Sequence, residues 1–182
     1  MIRSLLLALV LSLVPAAVQA QALAGALNGS VVIADRDVGG ALWADLWASF
    51  DWFRVGGFAG VAIIPAPASR DAYNRNATPL GVSLAAVANL GDVDLELRLR
   101  GGLWAGATQD AKMTVGGFLG GGAFLDFHLG GGASLGGGIE VWGFLGAGET
   151  WAVAPTITLT FGPPPAAPVD LGTVSSGSSF TP

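Results

Sequence analysis

Cysteine is absent from this 182-residue chain. Its absence excludes disulfides, thiolate metal sites and lipid attachment through a cysteine. Charge is scarce, with 12% of residues Asp, Glu, Lys or Arg, against roughly 25% in an ordinary soluble domain. A basic surplus is missing too. The formal net charge is −5, which argues against nucleic acid as a partner, because phosphate binding needs a basic surface. His128 is the only histidine, so a metal site built on several histidines is excluded. Beyond the first residues, long helical spans are also lacking. The charge-free windows between Arg54 and Arg70, Arg75 and Asp92, and Glu149 and Asp170 all contain proline, and the window from Lys112 to Asp126 is short and rich in glycine. None offers the ~20 continuous apolar residues that a spanning helix requires.

What is present is hydrophobicity, at 52% of residues, and glycine, at 29 residues. The first segment accounts for part of the former. Met1-Ile2-Arg3 is a short positive region, Leu5 to Val14 is an unbroken apolar run, Pro15 ends it, and Val18-Gln19-Ala20 offers small residues for cleavage. Ala20-Gln21-Ala22 is a second candidate cleavage site. This is the anatomy of a secretory signal peptide, expected over residues 1–20.

The period of the remaining chain is two. Val93, Leu95, Leu97 and Leu99 alternate with Asp94, Glu96, Arg98 and Arg100. From Ala154 to Phe161, Pro155, Ile157, Leu159 and Phe161 alternate with Thr156, Thr158 and Thr160, and Leu42, Leu46 and Phe50 run out of phase with Asp45, Ser49 and Asp51. A helix would scatter these polar groups around its circumference, whereas a strand sorts them onto one face. The pattern predicts strands at about 23–33, 41–52, 54–64, 80–90, 93–105, 113–126, 132–145 and 150–161. Tight turns are expected at Trp52-Phe53-Arg54, Leu90-Gly91-Asp92 and Leu129-Gly130-Gly131. Longer polar links are expected at 34–40, 66–79, 106–112 and 146–149.

Eight antiparallel strands with short turns at one end and longer loops at the other are the plan of a transmembrane barrel, closed because hydrocarbon cannot satisfy free strand edges. On these residues the chain resembles the small eight-stranded outer-membrane β-barrels of Gram-negative bacteria, including the barrel domain of outer membrane protein A and the OmpX type. Pro155 to Phe161 carries the most specific part of the likeness, since it resembles the closing-strand signal read by the barrel-assembly machinery, with Ile157, Leu159 and Phe161 as its apolar positions. In that family the aromatic is often the final residue, whereas here Gly162 to Pro182 follows it. The resemblance implies an all-β, up-and-down transmembrane barrel over 21–161, between the signal peptide and a Pro-, Ser- and Gly-rich disordered tail over 162–182. It also implies outer-membrane lipid as the surrounding solvent, the assembly machinery as a partner in biogenesis, and an extracellular partner met through residues 66–79. The expected role is non-enzymatic: envelope structure, or surface interaction of an adhesion-like kind, with no cofactor.

Candidate sites give little chemistry. Gly120-Gly121-Gly122, Gly130-Gly131-Gly132 and Gly136-Gly137-Gly138 match neither G-x-G-x-x-G nor a P-loop, and read better as relief from crowding in a narrow barrel. Barrel lipases pair a His-x-Ser motif with a carboxylate, but Leu129-Gly130 follows His128, so the nucleophile position is empty and Ser134 lies too far along. The charged residues Asp45, Asp94, Glu96, Arg98, Arg100 and Glu140, with Asp51 and Asp126, are predicted to face the lumen. Arg98 and Arg100 are expected to bridge carboxylates on neighbouring strands, since an eight-stranded interior is just wide enough for side chains to fill. Trp52, Trp104, Trp142 and Trp151 fall near strand ends, as an interfacial girdle would place them. The alternative is a secreted, soluble, lipocalin-like barrel binding a small apolar ligand. It requires the opposite assignment of faces.

Overall fold

The computed structural model describes residues 22–34, 37–50, 52–64, 75–107, 113–146 and 149–162. The expected signal peptide, most of the 66–79 link, and the tail after Gly162 lie outside the described residues.

Alternating sequence becomes eight strands: β1 (Ala22–Ala34), β2 (Asp37–Phe50), β3 (Phe53–Ile64), β4 (Arg75–Asn89), β5 (Val93–Ala107), β6 (Met113–Gly130), β7 (Ala133–Leu145) and β8 (Thr150–Phe161). Each pairs antiparallel with its sequence neighbours, and β8 returns to β1 through Gly25↔Phe161 to Ile33↔Val153, closing the barrel. Closure removes the unpaired edge that an open sheet would present.

Several boundaries differ from the sequence expectation. β3 starts at Phe53, one residue before the strand expected from 54, because the β2–β3 ladder already begins at Phe50↔Phe53. β2 starts at Asp37, inside the link expected over 34–40. β4 takes in Arg75 to Pro79, which the sequence placed in the long link. Pro79 is tolerated because the β3–β4 register lapses between Ala59↔Leu80 and Ala62↔Ala77, while β4–β5 runs on through Pro79↔Trp104. Pro155 repeats the device: the β1–β8 register lapses between Ser30↔Thr156 and Ile33↔Val153, and β7–β8 continues through Ile139↔Pro155. A residue without an N–H thus sits where one ladder is interrupted. β6 runs to Gly130, so its turn falls on Gly131-Gly132 rather than starting at Leu129. Gly130, Gly131 and Gly132 all have positive φ, which L side chains rarely adopt. At Leu90-Gly91-Asp92, the Asn89 side-chain oxygen accepts from the Gly91 N–H at 2.8 Å, an Asx-type closure.

The faces sort as a membrane barrel requires. Leu97 and Leu99 are 55% and 64% exposed, whereas Glu96, Arg98 and Arg100 between and beside them are at most 3% exposed. Leu42, Leu46, Leu80, Leu103, Ile139 and Ile157 extend the apolar exterior around the barrel. A soluble barrel of the lipocalin type would carry these two faces the other way round.

Inside, bulk on one strand meets glycine on the next. Trp43 lies opposite Gly60, Trp47 opposite Gly56, Phe58 opposite Gly81, Trp104 opposite Gly116, Phe118 opposite Gly102, Trp142 opposite Gly120 and Phe124 opposite Gly138. The charged positions follow suit, with Arg98 and Glu140 both flanking Gly122. A Cβ on Gly60 would come within 2.7 Å of the Trp43 ring. Glycine therefore gives the interior its room, which is why so small a circumference holds Trp47, Trp104, Trp142 and Arg98 fully buried.

Candidate functional site

The lumen is divided along its axis. Toward the longer loops it is aromatic: Trp43, Phe58, Trp104, Phe118, Trp142 and Phe144 form one buried cluster with Val32 and Ile64. Trp43 and Trp142 meet edge-to-face with centroids 4.5 Å apart, and Phe118 stands 5.4 Å from Phe58 and 5.2 Å from Phe144. Such contacts between rings are those of a packed aromatic core. Trp104 and Trp142 are thus interior residues, 1% and 0% exposed, and not part of an interfacial girdle. Their parity gave the answer, since Trp104 is in phase with Arg98 and Arg100, and Trp142 with Glu140. Trp52 and Trp151 do face outward.

Below the rings lies a charged layer. Arg100 donates through Nη2 to Asp45 at 2.7 Å and through Nη1 to Glu140. Arg98 donates through Nε to Glu96 at 2.5 Å and through Nη1 to Asn28 Oδ1 at 2.9 Å, with Asp45 3.7 Å away. Asn28 in turn donates to Asp45 at 2.8 Å. Arg54 donates to Glu96 at 2.6 Å. The Arg98 guanidinium also lies 4.2 Å from the Phe124 centroid and 5.0 Å from that of Trp47. The sequence expectation had the arginines bridging neighbouring strands. Instead the pairs cross the lumen, joining β5 to β2, β7 and β3, or stay on β5, because the cross-strand neighbours of Arg98 and Arg100 are Gly122 and Gly120 on β6 and Ala85 and Ser83 on β4, none of them a carboxylate. Asp45, Glu96, Arg98, Arg100 and Glu140 are therefore brought together, and Asp94 is set apart. Arg54 and Asn28 were missed by sequence. Arg54 shares the phase of Phe58 within the strand expected over 54–64, and that parity alone would have turned it inward.

Asp94 sits at the turn end. It is the cross-strand partner of Asp126, and its Oδ2 lies 2.9 Å from His128 Nε2, off the N–H axis. Ser134 is the cross-strand partner of His128, a proximity that the spacing along the chain did not suggest. No hydrogen bond joins Ser134 to His128 among the described residues, so the nucleophile–base link that acyl transfer needs is missing. Asp94, His128, Ser134, Arg54 and Thr160 line a cavity of about 240 Å³ roofed by Gly130 to Gly132 and Gly162. Among the described residues, no three His, Asp, Glu or Cys side chains converge with the spacing of a metal cage.

No family model and no curated protein matches the sequence. Solved structures do match the fold. Neisserial surface protein A superposes with a TM-score of 0.61 at 9% identity, covering 77% of this chain and 95% of its own. The N-terminal barrel domain of Pseudomonas aeruginosa OprF gives a TM-score of 0.49 at 12% identity over 78% and 98% of the two chains. The attachment invasion locus protein of Yersinia pestis gives 0.48 at 12% identity over 79% and 98%. With eight strands closed in sequence order around a filled lumen, the chain has the fold of the small eight-stranded outer-membrane β-barrels.

Proposed function

We propose that the protein is a non-enzymatic resident of a bacterial outer membrane, serving envelope structure or surface interaction of an adhesion-like kind through its loop end. The aromatic plug carries this reading. Trp43, Phe58, Phe118 and Trp142 packed across the lumen on the loop side favour a filled barrel over a solute path. What the barrel can offer is its anchored position and its loops. The longest link, residues 65–74 between β3 and β4, is the proposed contact with an extracellular partner. Ile157, Leu159 and Phe161 on β8 are proposed to be read by the assembly machinery before closure, residues 1–20 to direct export, and the tail after Phe161 to hang at the turn end.

The apolar exterior supports outer-membrane lipid as the partner of the barrel wall, because every outward leucine would otherwise meet water. Planar-bilayer recording tests the plug. The refolded protein is expected to give no stable conductance steps; discrete, reproducible openings would replace the plugged barrel with a pore.

A further inference from the structure

The charges buried in the lumen do not balance. Three arginines, Arg54, Arg98 and Arg100, stand against five carboxylates, Asp45, Asp94, Glu96, Asp126 and Glu140, all at most 6% exposed. Arg54 and Arg98 pair with Glu96, and Arg100 pairs with Asp45 and Glu140. The surplus of two negative charges therefore falls on Asp94 and Asp126, near the turn end. These two are cross-strand partners on β5 and β6, an arrangement in which like charges repel. Burial raises the cost, because a charge held away from water without a partner is expensive.

Neither carboxylate has the partners that a buried charge requires. Asp94 Oδ1 and Asp126 Oδ1 accept no hydrogen bond among the described residues. Asp126 Oδ1 lies against Gly136, in the space that a Cβ there would take, away from the cavity that Asp94, His128 and Arg54 line. His128 Nε2 stands 2.9 Å from Asp94 Oδ2, and its side chain is 23% exposed, open to exchange protons with water. Among the described residues, the other charged groups of this corner are Arg54 on β3, Glu96 and Arg98 on β5, and Asp92 in the β4–β5 turn. The Asp92 carbonyl accepts from the His128 N–H at 3.0 Å. Arg98 and Arg54 favour a charge on Asp126, whereas Glu96 and Asp94 oppose it. The facing residues of β4, β7 and β8 do not titrate: Asn89 opposite Asp94, Ser134 and Gly136 opposite His128 and Asp126, and Thr158 and Thr160 beyond them. Asp51, in the β2–β3 turn, lies outside the described residues.

We propose that Asp94, Asp126 and His128 form a proton-operated clasp between the β4–β5 and β6–β7 hairpin turns. With one proton on the imidazole and one on a carboxylate, the three side chains are neutral together, and β5 and β6 close on each other. As pH rises these protons leave, two like charges face each other across the ladder, and the turn end loosens. The protons belong to the cluster and not to one residue, because groups this close titrate as a unit. In the unfolded chain, separated aspartates are ionised above about pH 4. Over the range in which imidazoles change charge, about pH 5 to 8, the folded barrel therefore binds more protons than the unfolded chain. Stability is greatest at the acid end of that range and falls as pH rises.

The test is thermal unfolding of the full-length protein in a zwitterionic detergent with EDTA, followed by tryptophan fluorescence at about pH 5 and about pH 8. The wild type is expected to melt several degrees lower at the higher pH. Asp126→Asn is expected to melt above the wild type at the higher pH and to lose most of the difference between the two conditions. His128→Gln is expected to melt below the wild type at the lower pH, having lost the cation. Glu149→Gln, at the loop end, is expected to keep the wild-type difference. Hydrogen exchange of the wild type gives a reading that needs no substitution. Corrected for the intrinsic effect of pH, protection of the His128 amide is expected to fall by about tenfold between the two conditions, while that of Leu103, toward the loops, stays. A wild type that melts alike at both pH values would overturn the clasp, as would a difference that Asp126→Asn and His128→Gln both keep in full. So would an equal loss of protection at His128 and Leu103.

Discussion

The indole of Trp104 on β5 lies over Gly116 on β6, so that a Cβ added to Gly116 would stand 2.4 Å from the indole nitrogen and 2.0 Å from the Leu145 carbonyl oxygen. That nitrogen donates to the same Leu145 carbonyl at 3.1 Å. Glycine is thus required at 116 by space and not by backbone conformation.

Gly116→Ala is accordingly expected to destabilise the barrel by about 1–3 kcal/mol, the usual range for forced overpacking. Trp104→Ala is expected to cost about 3–5 kcal/mol through the cavity it leaves. Urea unfolding in detergent, followed by tryptophan fluorescence, measures both. Gly91→Ala gives a contrast, since nothing lies within 4 Å of its added Cβ and only its φ of +102° opposes the change.

Arg100 bridges Asp45 on β2 and Glu140 on β7. Arg100→Met removes the cation and leaves two buried carboxylates facing each other's field, at an expected cost of about 3–5 kcal/mol. Adding Asp45→Asn and Glu140→Gln to Arg100→Met removes those charges and is expected to restore most of the loss. Equilibrium unfolding of the single and triple variants decides it; an equal loss in both would show that shape rather than charge governs the layer.

Leu97 and Arg98 point to opposite sides of the wall. In bilayers, Leu97→Cys is expected to resist a charged, water-soluble thiol reagent, being covered by lipid. A soluble barrel would leave Leu97→Cys freely reactive, so labelling by mass spectrometry separates the two.

A charge placed on the outer face probes depth. Leu97→Arg, in mid-strand, is expected to cost about 2–4 kcal/mol, and Leu23→Arg, one residue into β1, about 0–1 kcal/mol. Equal penalties at both positions would deny a hydrocarbon band around the barrel middle.

Much of this architecture was legible in the sequence because a two-residue period leaves little freedom. Val93 to Arg100 fixes which side is wet, and the same phase carried to Trp104 or back from Glu140 to Trp142 assigns the plug. Reading those tryptophans by their nearness to strand ends obscured what parity made plain. The strands that ran past their expected limits did so at proline and glycine, residues that usually mark turns. Pro79 escaped that rule because a gap in one ladder accommodates its missing N–H, and Gly130 because the β6–β7 register shifts beside it. Pairing across the lumen was not legible. It depends on which side chains meet over the barrel's width, and sequence spacing carries no record of Arg54 reaching Glu96 or of His128 meeting Asp94.

Gel mobility of the detergent-purified protein with and without boiling tests most directly whether the chain forms a closed barrel standing in a membrane. A barrel closed by the β1–β8 ladder resists detergent until heated, so the unboiled and boiled samples are expected to migrate as two distinct bands. A single mobility under both conditions, from a protein that also stays in solution without detergent, would contradict it.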